Sequence, residues 1–70
     1  MNTYHEICEL VRSINFLADT RRKYEMGTAE WNDVTDKIVD MEFALQNFAR
    51  ANGYEVYRFK RSGHWTFDVI

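Results

Sequence analysis

His5, Cys8 and Glu9 are the residues whose types and spacing come nearest to chemistry. A histidine and a cysteine three apart share one helix face, and Glu9 follows His5 by one turn, so the trio offers part of a metal site or a thiol-imidazole pair. A metal site needs three or four ligands. The only other histidine is His64, far along the chain, and there is no second cysteine and no C-x-x-C or H-E-x-x-H pattern. Nucleophilic catalysis would also need an oxyanion site, and none is evident. Cys8 reads as a small core residue at the edge of an apolar stripe. The expectation is a non-catalytic chain with no metal and no cofactor.

Charge offers a second chemistry, that of binding. The net charge is -2, but by thirds the chain is uneven: residues 1–26 carry four cations and four anions, 27–53 two and five, 54–70 three and two. Asp33, Asp36 and Asp40 fall together on one side of a predicted helix and could meet a basic partner, although charge on an outer helix face is ordinary. Arg58, Lys60, Arg61 and His64 cluster near the C-terminus, where basic strands can track phosphates. Against a nucleic-acid site stand a sequence pI near 5.6 and the absence of stacking rings between those cations. Nucleic-acid binding is therefore the alternative function, and basic residues that keep an edge strand soluble are the plainer reading.

The elements must be few. Seventy residues make one domain, near the smallest size at which a single core holds a chain folded. The composition, 46% apolar and 29% charged, is that of a globular chain. Eleven aromatic rings against one cysteine mean that packing or self-association, and no internal disulfide, supplies stability. The first residues lack the basic start and apolar run of a signal peptide, and no window nears the roughly 20 apolar residues of a membrane span. The expected location is a reducing cytoplasm.

Thr3 and Glu6 match a capping box, so a first helix is predicted over about 4–26, with Tyr4, Ile7, Leu10, Val11, Ile14, Leu17, Ala18 and Tyr24 on its core side. Gly27 stops it, and Thr28 caps a second helix over about 29–52. There Trp31, Val34, Ile38, Met41, Leu45 and Phe48 form a narrow seam for an antiparallel helical hairpin, ended by Asn52 and Gly53. The remainder, 54–70, alternates rings and β-branched residues around a Ser-Gly pair and predicts a β-hairpin. A three-residue loop, Arg61-Ser62-Gly63, with Gly63 left-handed, would set Phe59 opposite Trp65 and Tyr57 opposite Phe67. That register puts Tyr57, Phe59, Trp65, Phe67 and Val69 against the helices, and Arg58, Lys60, His64 and Thr66 outside. The fold class is α+β, in the order α-α-β-β.

Phe16 and Phe43 do not fit this economy. Phe16 lies about 160° from the centre of its helix's apolar face, among Arg12 and other charged residues. Phe43, beside Val39, lies off the seam of the second helix, where only the hairpin could cover it. Together with Arg58, Lys60, Arg61 and His64 these residues form the expected partner-binding set. Open sheet edges and a small core favour a homodimer, formed by hairpin edges pairing or through the Phe16 face. The expected function is protein binding by occupation of a larger partner's surface. In size, aromatic richness and lack of a catalytic set, the chain looks like the small accessory proteins with which bacteriophages inhibit or redirect host machinery.

Overall fold

The computed structural model describes residues 3–59 and 61–69. The order is α1 (Thr3–Arg21), α2 (Ala29–Ala51), β1 (Tyr54–Arg58) and β2 (Trp65–Val69), with the two helices packed together and a two-stranded antiparallel sheet laid against them. The chain is thus a small α+β domain. Ile7 and Ile14 of α1 meet Ile38, Leu45 and Ala49 of α2 at its centre, and Tyr54, Val56, Trp65 and Phe67 close over that cluster from the sheet.

The helix ends follow local chemistry. The helix α1 stops five residues earlier than its apolar period suggests. Beyond Arg21 the backbone turns into short-range bonds, Lys23 N–H to the Thr20 carbonyl at 3.0 Å and Tyr24 N–H to that of Arg21 at 3.1 Å. Tyr24 therefore leaves the core face and is exposed. Arg21 anchors the stop: its guanidinium lies 5.2 Å from the Trp31 ring centroid and donates to Thr35 Oγ1 at 3.3 Å. At the other end α1 already includes Thr3, so Thr3 lies within the helix and not ahead of it as the expected cap. Thr28 does cap α2, its hydroxyl accepting from Trp31 N–H at 3.3 Å.

The hairpin register departs from the expected one. Tyr57 pairs with Thr66, Val56 with Phe67 and Arg58 with Trp65, one residue out of step on β1. The loop is a residue longer at its start, with Phe59 N–H bonded to the His64 carbonyl at 2.9 Å and Gly63 N–H to the Phe59 carbonyl at 2.7 Å. Gly63 has φ +75, as the left-handed loop position requires. A slip of one flips every side chain of a strand. Tyr54, Val56 and Arg58 thus face the helices beside Trp65 and Phe67, while Glu55, Tyr57 and Phe59 face outward. The packing shows why this register is tolerated: Tyr54 and Phe67 meet edge to face at 5.9 Å, β-branched Val56 enters the core, and Arg58 lies along Trp65. On the outer side Tyr57 and Phe59 shield each other edge to face at 6.2 Å.

Candidate functional site

The observed register places Arg58 on the helix side of the sheet, where its Nη1 lies 3.8 Å from Glu42 Oε2 while more than half of the side chain stays exposed. Glu42 also accepts from Trp65 Nε1 at 2.9 Å, so one carboxylate of α2 ties both strands. His64 reaches back to α1, its Nε2 2.9 Å from Asp19 Oδ1. This hydrogen bond holds the Asp19 carboxyl below its ordinary range, against a smaller opposing effect of desolvation. Arg22 fixes the turn by donating to the Ser62 carbonyl at 2.7 Å. Arg61 is exposed at the turn, and Lys60 lies outside the described residues. Of the expected set of four cations, Arg58 and His64 therefore make contacts within the fold.

The outer sheet face instead carries Glu55, Tyr57, Phe59, Thr66 and Asp68. Tyr57 donates its hydroxyl to Asp68 Oδ2 at 2.5 Å, which raises its pKa above that of an ordinary phenol by favouring the protonated form. Sequence reasoning missed this aromatic face, because it followed from the register.

The two misplaced phenylalanines are indeed exposed, on opposite flanks. Phe16 is 69% accessible. It separates two shallow depressions of about 510 Å³ each, one shared with Cys8, Val11 and Phe67, the other with Ser13, Leu17 and Met41. Ser13 continues the second into a depression of about 490 Å³ bounded by Leu10, Ala44 and Phe48. The side of the helical hairpin away from the sheet is thus a continuous apolar groove, with Phe16 and Arg12 at one end and Glu6 and Glu9 at the other.

Phe43 is 65% accessible and Val39 43%; the hairpin leaves both uncovered. They share a depression with Glu42 and Gln46. Gln46 then joins it to a groove of about 540 Å³ where Gln46 and Arg50 of α2 run beside the whole of β1. Val39, Phe43 and Arg58 therefore belong to one flank, and Phe16 and Arg12 to the other.

The two sheet edges differ. At the edge of β2, Asn15 Oδ1 accepts from Trp65 N–H at 2.7 Å and Asn15 Nδ2 donates to the Trp65 carbonyl at 3.2 Å, so a side-chain amide takes the place of a neighbouring strand. Along β1 the bonded pair Phe59–His64 fixes the alternation. The N–H and C=O groups of Tyr54, Val56 and Arg58 point away from β2, into the groove beside Gln46 and Arg50, and no described side chain caps them.

His5 Nε2 lies 3.3 Å from Glu9 on the exposed side of α1, Cys8 is a half-buried free thiol, and among the described residues no three metal-binding side chains converge. No described helix is long and apolar enough to cross a membrane. Comparison with protein-family models, with curated proteins and with solved structures finds no match to this chain.

Proposed function

We propose that this chain is a non-catalytic protein-binding module that occupies a surface of a larger partner with its Phe16 face, and that it self-associates through a different surface. One observation carries the reading. An aromatic ring that the core does not use stands at the end of an apolar groove formed by half-buried Leu10, Leu17, Met41 and Phe48. Isolated exposed rings are common, but a ring continuous with such a strip and rimmed by Arg12, Glu6 and Glu9 has the make-up of an interface: aromatic and aliphatic centre, charged border. Occupation of this kind inhibits or redirects a partner by steric means and asks for no reactive group.

The test is capture of partners from a native extract by the immobilised chain and by Phe16→Asp, with mass spectrometry as the readout. A protein retained by the parent and lost with the folded variant supports the reading. Equal recovery by both removes it. Recovery of nucleic acid, released steeply as salt rises, would favour the phosphate-binding alternative instead.

A further inference from the structure

We infer that the open edge of β1, with the Val39–Phe43–Gln46–Arg50 flank of α2, is where a second copy of this chain docks, two β1 strands pairing antiparallel about Val56 to make a four-stranded sheet. The inference deepens the self-association part of the proposed function. It starts from the contrast between the edges: Asn15 closes β2, whereas the outward groups of Tyr54, Val56 and Arg58 have no partner among the described residues. Unpaired strand edges recruit strands, and a two-stranded sheet is marginal by itself.

Register and charge select the arrangement. Bonded pairs must form between outward-pointing residues, so a twofold axis falls on Val56 or beside it. Centring on Val56 sets Val56 against its own copy, Tyr54 against the partner's Arg58 and Glu55 against the partner's Tyr57. A guanidinium beside a phenol ring is a favourable pair. Centring on Glu55 would oppose two carboxylates, which costs stability.

The helix α1 sits at the β2 edge, held by Asn15, and α2 packs along β1, its Glu42 reaching both Arg58 and Trp65. Phe43 and Val39 lie on the flank that this pairing would cover, and because Gln46 sits beside the middle of β1, Phe43 would face the partner's Arg50. The exposure of Phe43 and the open edge are separate observations that one docking explains.

The experiment is sedimentation equilibrium of the purified full chain over a concentration series, together with hydrogen exchange of the Val56 and Arg58 amides. A species of twice 8.4 kDa is expected at high concentration. Both amides should exchange fast when dilute and slowly when concentrated, and Phe43→Glu, an exposed substitution, should weaken dimerisation about tenfold or more. A monomer throughout overturns the inference. So does a dimer whose Val56 and Arg58 amides stay fast, or one that Phe16→Ala weakens and Phe43→Glu does not. Because the purified chain is used alone, failure here leaves capture of a partner by the Phe16 face standing, and failure of that capture leaves this result untouched.

Discussion

Asn15 holds Trp65 by both of its backbone groups, accepting from the N–H at 2.7 Å and donating to the carbonyl at 3.2 Å across fifty residues of chain. Its single amide therefore docks the hairpin on α1 and seals the edge of β2. Asn15→Ala would orphan a half-buried donor and acceptor at once, and the expected cost is about 2 kcal/mol. Asn15→Asp keeps the acceptor only and should fall between. Urea unfolding of the three proteins measures this; an unchanged midpoint for Asn15→Ala would show that water replaces the amide without loss.

The same contact shows where sequence reasoning runs out. Helical periodicity alone picked Ile7, Ile14, Ile38 and Leu45 as core, and all four are buried. It also set Phe16 and Phe43 apart from that core. Ala49, buried under the hairpin, was not singled out, because its small side chain carries little hydrophobic signal. The hairpin register was not legible, because counting rings favours Tyr57 and Phe59 as the inward pair. The fold instead uses Tyr54 and Val56, lets Arg58 lie along Trp65 with its charge at Glu42, and leaves two rings in water. Asn15 and Glu42 gave no signal in one dimension: their roles exist only once helix and strand are in contact.

Gly63 sits at φ +75, and a Cβ built on it would meet nothing within 4 Å. Substitution there therefore tests backbone conformation without a steric clash. Gly63→Ala should destabilise by about 1 kcal/mol, the usual penalty for a side chain in the left-handed region. Thermal or urea melts decide it, and a neutral outcome would mean that the loop shifts to another turn at no cost.

Asp19 links stability to acid. Its carboxyl titrates below the ordinary value of 3.8, chiefly because of the hydrogen bond to His64, with the charges of His64 and Arg22 adding to the effect. A depressed pKa in the folded state stabilises the protein above the unfolded value, and that contribution is lost as pH falls through the folded one. The stability gap between the parent and Asp19→Asn should therefore narrow as pH drops from about 4 downward. The group is exposed, so the effect is small and sensitive to salt. Urea midpoints for both proteins across that range would reveal a constant gap if the bond does not form.

Leu45 and Phe16 test the division between core and surface. Leu45 is 0% accessible and belongs to the central cluster, so Leu45→Ala removes buried methyl groups and leaves a cavity, at a cost of about 2–5 kcal/mol. In a domain whose small core leaves little reserve, that loss is enough to unfold much of the population. Half-buried Phe48 should stand lower on the same scale, near 2 kcal/mol, since part of its ring is already in water. Phe16→Ala is expected to stay within about 0.5 kcal/mol of the parent, as substitutions away from packed groups do. Melts of the three variants set the order Leu45, Phe48, Phe16. If Phe16→Ala instead melted as early as Phe48→Ala, the ring would be contributing to the fold through Val11, Phe67 or Met41 around it. Its exposure would then no longer mark an interface.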